Sequence, residues 1–352
     1  MRFYTPPIRT QLEYEPHTQE TRMHHIRRQV LGLVLTTCLT PMLGLNAAHA
    51  EAEWPSRPIR VVVPYPAGGT ADIMGRLVAN KLGKAFPKVS VVVENVSGGA
   101  TVPGTMAALR DPADGHTLLM ASDNTLNINR WLLKDVRYDG DRDFSPVTVL
   151  VTYPHWLIVN GHGPYKSFDD LVKAIRAKPG KVSISVNTVG GAAYLALDNW
   201  RRENGLNFEI VPYRGSPPAV ADLIGGHIDA HLDVVGSSMA HARSGRVLPV
   251  TVLQNTPLKE FPQAIPQNDS NPKSLNARVN LSVVVRSGTP AAIVDKLYAV
   301  LKVGVKEEDF IKTVDMMGLG TVMYEPKKAK AFLQQETQRY RVLIEKSGLE
   351  KQ

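Results

Sequence analysis

An apolar run that leads through a glycine-rich loop into an amphipathic helix constrains the fold of this chain more than any other feature. Residues 59–64 (IRVVVP) form the run, which is typical of a strand buried on both faces. The loop Pro66-Ala67-Gly68-Gly69 follows, and Thr70 can cap a helix with one apolar stripe between Ile73 and Phe86. Because similar units follow, the sequence predicts an α/β fold with parallel sheets and right-handed crossovers.

Two groups of these units predict two sheets. The first group continues through strands at 89–93 and 117–121, each followed by a loop and a helical segment. After a long apolar stretch at 147–160 the pattern restarts, which indicates a second sheet with its own core. The strands of the second group are predicted at 182–186, 208–211 and 228–232.

The C-terminal elements also need a sheet to pack on. They are a strand at 281–285, a helix that starts at Thr289 and Pro290, and a final helix at about 327–346. The first sheet is the expected host, which makes the second lobe an insertion. Residues 255–278, rich in Pro, Asn and Gln, are predicted to form a long surface loop.

These patterns divide the mature chain into two lobes. We assign residues 51–153 and 250–352 to the first lobe and residues 154–249 to the second. Two crossing segments, near Tyr153 and Val250, are expected to join them.

Residues 1–50 predict an N-terminal extension and a secretory signal peptide. A basic segment at 24–28 precedes a mostly apolar stretch at 30–45, and Ala48 and Ala50 supply the small residues that flank a cleavage site. The apolar stretch is shorter than the roughly 20 residues that a membrane span requires. We therefore expect export, with cleavage near Ala50.

Two further expectations concern this removed region. Residues 1–22 have no role in the signal, so translation is expected to start at Met23 rather than Met1. The only cysteine, Cys38, lies within the signal. The mature chain is therefore expected to have no disulfide, no cysteine nucleophile and no cysteine-ligated metal.

The distribution of charge limits the partners. The chain has 41 Lys and Arg against 33 Asp and Glu, a formal net charge of +8. The basic residues are scattered and form no stripe, so no nucleic-acid partner is expected. A scattered positive excess is compatible with an anionic small molecule.

The loop at 66–70 is the strongest local indication of a binding site. Its glycines let the backbone approach a ligand, and the helix that follows presents unpaired N–H groups and a positive dipole end. Both features favour a bound anion such as a carboxylate. An ordinary strand-to-helix turn explains the motif equally well, and Asp72 is explained by the helix dipole or by Arg76.

Two other motifs argue against nucleotide and metal chemistry. The loop at 97–105 resembles a phosphate-binding loop, but Thr105 stands where that motif requires lysine. His227, Asp229, His231 and Asp233 alternate and would share one face of a strand. At about 6 to 7 Å between successive positions they lie too far apart to surround one ion, and only Asp233 would reach an inter-lobe crevice.

No motif supports catalysis. No G-x-S-x-G occurs, and no histidine of the mature chain lies in an H-E-x-x-H context. We therefore predict no catalytic residue, no metal and no cofactor. The mature histidines are His116, His155, His162, His227, His231 and His241.

Taken together, six segments resemble, in order, the Bug receptors, the periplasmic solute-binding components of tripartite tricarboxylate transporters. The resemblance runs from about Trp54 to Gly348. The segments are WPSRPI, VVVPYPAGGTADIMGR, VVVENVSGGATVPG, DPADGHTLLMAS, VPYRGSPPAVADLIGGHIDA and the ending EKSG.

The resemblance implies a type II periplasmic binding protein fold, with two α/β lobes joined by two crossing segments and a ligand cleft between them. It also implies a monomer in the periplasm that closes on a small carboxylate and passes it to membrane permease subunits. The ligand-binding residues that it implies are Ala67, Gly68, Gly69, Thr70, Asp72, Ser122, Asn124, Thr125, Thr188, Gly190, Gly191 and Asp233.

The second-lobe loop departs from the family pattern. Relatives usually have a Tyr-Gly-Ser-Ser-Gly-like loop and a following His where this chain has residues 185–191 (SVNTVGG) and then Tyr194. Val102 and Pro103 alter the other glycine-rich loop as well. The identity of the ligand therefore stays open, and it can differ from that of typical members. Two other functions also stay open, a sensor for a signalling receptor and a secreted hydrolase that uses the mature histidines and Asp233.

Overall fold

A computed structural model of the chain describes residues 53–187, 190–213, 215–267 and 273–351. The predicted extension, signal peptide and start site lie outside these residues. The strands, in chain order, are β1 (Ile59–Val63), β2 (Val91–Asn95), β3 (Thr117–Ser122), β4 (Phe144–Tyr153), β5 (His155–Asn160), β6 (Ser183–Val186), β7 (Glu209–Pro212), β8 (Ala230–Val234), β9 (Val247–Val252), β10 (Ile265–Pro266), β11 (Val279–Arg286) and β12 (Gly320–Thr321).

Helices flank the strands. They are α1 (Thr70–Ala85), α2 (Val102–Arg110), α3 (Asn129–Leu132), α4 (Gly140–Asp143), α5 (Phe168–Ala177), α6 (Ala192–Glu203), α7 (Ser216–Gly225), α8 (Val235–Arg243), α9 (Ala291–Gly304), α10 (Glu308–Met316) and α11 (Pro326–Ser347). No helix of the described ranges is long and apolar enough to span a bilayer.

The strands form two six-stranded sheets, one in each lobe. The first has the order β12-β4-β11-β3-β1-β2 and the second the order β10-β9-β5-β8-β6-β7. Both sheets are mixed, which corrects the prediction of parallel sheets. The βαβ units pair in parallel, but β4 and β11 pair antiparallel with each other and β5 pairs antiparallel with β8 and β9. The antiparallel strands include those that carry the chain between the lobes. Parallel pairing needs a crossover connection such as a helix, and no single described helix joins these strands to their antiparallel partners.

The apolar stretch at 147–160 is shared between the two sheets. The strand β4 ends at Tyr153 in the first sheet, and β5 begins at His155 in the second. Pro154 is the residue between them. A proline donates no backbone hydrogen bond, so it marks the point where one ladder stops and the next starts.

The return to the first sheet lies later in the chain than predicted. The strands β9 and β10 both belong to the second sheet, so the chain returns between Pro266 and Val279 and not near Val250. The predicted surface loop at 255–278 is also partly wrong, because it contains β10 and buries the side chains of Phe261 and Leu275. The Pro and Asn content of this segment predicted a loop and gave no indication of these buried side chains.

Each lobe has its own core. In the first, Met74, Val78 and Leu82 of α1 pack against buried valines of β1 and against β3 and β11. In the second, Trp200 and its neighbours on α6 pack against β6 and β8. The prediction of two α/β lobes, with α1 and β1 forming the first strand–loop–helix unit, is confirmed.

Candidate ligand-binding site

A cavity of about 350 Å³ lies between the two lobes. Loops that follow β1 and β3 line it on one side, and the loop that follows β6 and the end of β8 line it on the other. Residues next to both crossing segments complete the wall. The lining residues are Tyr65, Pro66, Gly69, Thr70, Ala71, Ser122, Asn124, Tyr153, His155, Asn187, Gly191, Ala192, Ala193, Val234 and Val279.

The start of α1 forms the first-lobe wall. Gly68 has a positive φ of 81°, which turns the chain after β1, and Gly69 is the N-cap with φ −78° and ψ 169°. No side chain caps this helix, so its first N–H groups have no intrahelical or side-chain acceptor. These donors and the positive end of the helix dipole make the wall suited to an anion.

The start of α6 repeats this arrangement in the second lobe. Gly190 has a φ of 70°, and Gly191 is an N-cap with φ −71° and ψ 169°, again without a side-chain cap. Ala192 and Ala193 in the first turn line the cavity with their small side chains. Two helix starts, one from each lobe, therefore contribute to the wall of one cavity, and each carries about half a positive charge.

Among the described residues of the lining there is no Lys, Arg, Asp or Glu. His155 contributes an imidazole to the described wall and is 4% exposed. Burial lowers its pKa to about 4, although the nearby Asp233 opposes the shift. The imidazole is therefore neutral near pH 7, and the described part of the wall attracts an anion through backbone dipoles.

Acid should destabilise the protein through His155. Since its pKa is about 4 in the folded chain and about 6.5 when unfolded, only the unfolded state takes up a proton between these values. This contribution to the free energy of unfolding is fully present above pH 6.5. It falls by about 3 kcal/mol as the pH is lowered to 4. Urea unfolding of wild type and His155→Gln across this range should show a shallower acid loss in the variant. Equal slopes would contradict the assignment.

Five of the twelve predicted site residues line the cavity, namely Gly69, Thr70, Ser122, Asn124 and Gly191. Thr188 lies outside the described residues. The structure does not place the other six in the lining, which are Ala67, Gly68, Asp72, Thr125, Gly190 and Asp233. Contact between any of these residues and a ligand stays a prediction.

Asp72 supports the loop from behind. Its carboxylate accepts hydrogen bonds from Gly68 N (2.8 Å), Arg76 Nε (3.0 Å) and Asn95 Nδ2 (3.0 Å). Burial would raise the pKa of Asp72, but these donors outweigh burial and lower it. The side chain therefore fixes the turn at Gly68. Thr125 is also buried, and its hydroxyl forms a hydrogen bond with that of Thr101 at 2.9 Å.

Ser185, His231 and Asp233 follow the order of groups in a hydrolase triad. Ser185 Oγ lies 2.8 Å from His231 Nδ1, and His231 Nε2 lies 3.6 Å from Asp233 Oδ1. All three residues are 0% exposed and none lines the cavity, so the serine is not placed to attack a substrate. Within the described residues, no group of three or more His, Cys, Asp or Glu side chains could hold a metal ion.

Sequence reasoning missed most of the cavity wall that lies near the crossing segments. Tyr153, His155 and Val279 line it from the strands that enter and leave the lobes, and Tyr65 bonds through its hydroxyl to Ser122 Oγ. Asn187 was also missed, although it lies in the loop that departs from the family pattern. That departure was the available signal.

The two mixed α/β lobes, with helix starts around an inter-lobe cavity, define a periplasmic-type solute-binding protein. The family model described as tripartite tricarboxylate transporter family receptor matches residues 74–349. The chain belongs to this family. Membership favours a transport receptor over a signalling sensor or a hydrolase.

Individual relatives agree with this assignment. The UPF0065 protein in the tcbD–tcbE intergenic region of Pseudomonas sp. strain P51 is 33% identical over 90% of this chain and 94% of its own length. A structure described as a periplasmic transporter is 29% identical with a TM-score of 0.73, and covers 84% of this chain and 99% of its own. The periplasmic binding protein BugD is 26% identical with a TM-score of 0.70, and covers 85% and 100%.

Proposed function

We propose that this protein is a periplasmic receptor that captures a small carboxylate in the inter-lobe cavity and delivers it to the permease subunits of a tripartite tricarboxylate transporter. The observation that carries the proposal is the pair of uncapped, glycine-started helices α1 and α6, which line one cavity from two lobes. Backbone N–H groups at helix starts bind anions without a charged side chain.

The proposed contacts come from both lobes. In the first lobe they are the N–H groups at Gly69 and Thr70, with the side chains of Ser122 and Asn124. In the second lobe they come from the start of α6 at Gly191. A ligand that bridges the two helix starts would favour the closed arrangement of the lobes, because it gains donors from both only when both are near.

Binding can be tested by calorimetry on the mature protein with a panel of acids of increasing length and charge, such as succinate, glutarate, adipate and citrate. Dimethyl succinate is the uncharged control, because it keeps the carbon skeleton of succinate and has both carboxylates esterified. We expect at least one acid to bind and to stabilise the fold by about 2.7 kcal/mol at a hundred times its dissociation constant. Tight binding of the neutral ester, or of none of the acids, would overturn the proposal.

Export and assembly complete the proposal. The mature chain should begin near Glu51, which N-terminal sequencing of periplasmic protein would check. We propose that it acts as a monomer without catalytic activity, so that a bound acid is recovered unchanged in a one-to-one ratio. A larger species in light scattering or chemical conversion of the acid would contradict this part.

A further inference from the structure

Asn187 lines the cavity and carries a side-chain oxygen without a partner. It follows β6 and lines the cavity beside the start of α6. Its Nδ2 donates to Asp233 Oδ1 at 3.0 Å. Its Oδ1 is buried and has no hydrogen-bond partner among the described residues. A buried acceptor without a partner costs about 1 to 3 kcal/mol, so a ligand group that donates to it would be favoured.

Asp233 fixes the orientation of this amide. Its side chain is 0% exposed, and Ser216 Oγ donates to Oδ2 at 2.7 Å. Burial alone would raise the pKa of Asp233, but the adjacent His231 and the Ser216 hydroxyl lower it to about 2. The carboxylate is therefore ionised and can only accept. Turning the Asn187 amide over would place two oxygens against each other, so its Oδ1 stays on the side away from Asp233.

We infer that the cavity selects carboxylates that carry a hydrogen-bond donor, a hydroxyl or an ammonium group, on a carbon near the carboxylate held by α6. The inference rests on the proposed function. An ionised dicarboxylate without such a group offers only acceptors, and an acceptor against Asn187 Oδ1 leaves both oxygens unsatisfied. Asn124 also lines the cavity with a buried Oδ1 that has no partner. No described side chain holds its amide in one orientation, so it can turn its nitrogen to an acceptor and does not discriminate.

Two sets of acids of matched length test the preference. The first is succinate, malate and aspartate, and the second is glutarate, 2-hydroxyglutarate and glutamate. Within the set that fits, we expect the hydroxyl or ammonium acid to bind about tenfold more tightly than the parent, which corresponds to one satisfied acceptor. The order of the hydroxyl and ammonium acids identifies which donor is recognised.

Asp233→Asn tests the positioning role of the carboxylate. The new side chain keeps the shape, and its oxygen can still accept from Ser216. Its nitrogen can donate to Asn187 Oδ1, which lets the Asn187 amide turn and present its own nitrogen to the cavity. The preference should then fall to about parity or reverse. Asn187→Leu, which removes the acceptor at similar size, should also abolish the preference.

Ser185→Ala is the matched control, because it perturbs the same buried network through His231 without touching Asn187 or Asp233. It should lower stability and keep the preference. Parent acids that bind as tightly as their substituted partners would overturn the inference and leave the proposed function intact. So would an unchanged preference in Asp233→Asn or a lost preference in Ser185→Ala. Failure of every acid to bind would instead remove the proposed function.

Discussion

Gly69→Val should weaken carboxylate binding by about a hundredfold, which corresponds to the loss of one strong hydrogen bond to a charged group. Gly69 is the N-cap of α1 and lines the cavity. A valine side chain here would lie over the first N–H groups of the helix and keep an anion from them. Calorimetry with an acid that binds the wild type measures the effect.

The fold should survive this substitution. The φ of Gly69 is −78°, which any residue adopts, and an added Cβ would meet the Pro66 carbonyl oxygen at an ordinary 3.5 Å. The loss of a good N-cap costs about 1 kcal/mol. Gly83→Val, in the same helix and away from the cavity, is the control and should retain binding. Wild-type affinity in Gly69→Val would place the anion site elsewhere.

The first-lobe half of the site was predictable because its chemistry is local. A buried strand, two glycines and an amphipathic helix follow one another in the sequence, and the backbone donors that they create need no distant partner. The loop at 66–70 therefore pointed to the wall that Gly69 and Thr70 form. The glycine pair before α6 was expected only from the resemblance to the family.

The residues with charged side chains were harder to place. Asp72 lies in the first turn of α1 and Asp233 near the end of β8, and a sequence does not show which way a side chain turns. Both are buried among several donors, and some of those donors come from more distant parts of the chain, such as Asn95 for the first and Ser216 for the second. Each supports the wall and does not line it.

Long-range pairing explains the remaining errors. The boundary near Val250 depended on the Pro and Asn content that follows it, whereas the position of β9 is set by its antiparallel pairing with β5, almost ninety residues earlier. The contribution of His155 and Val279 to the cavity depends on the same crossing of the chain between lobes. Periodicity along a sequence carries no information about such pairing.

The helix α11 connects the two lobes on the side of α6. Near its start, Ala329 and Leu333 pack in the core of the first sheet with Val149 and Val284. Further along, Tyr340 packs in a cluster with Leu195 of α6. The remaining buried members of that cluster are Ile128, Leu132, Ala192 and Ile344. The position of the anion-binding start of α6 therefore depends on a helix that is anchored in the other lobe.

Tyr340→Ala should destabilise the protein by about 4 kcal/mol, as expected for the truncation of a fully buried aromatic side chain. Tyr340 is 1% exposed, and the cavity that it leaves would adjoin Ala192 in the wall of the ligand site, so binding should weaken as well.

Tyr340→Phe is the control. It keeps the packing and loses only the hydrogen bond from the hydroxyl to the Arg278 carbonyl oxygen at 3.1 Å, at about 1 kcal/mol. Urea unfolding and calorimetry on both variants separate the contributions. If Tyr340→Ala unfolds like the wild type, α11 does not hold α6 in place.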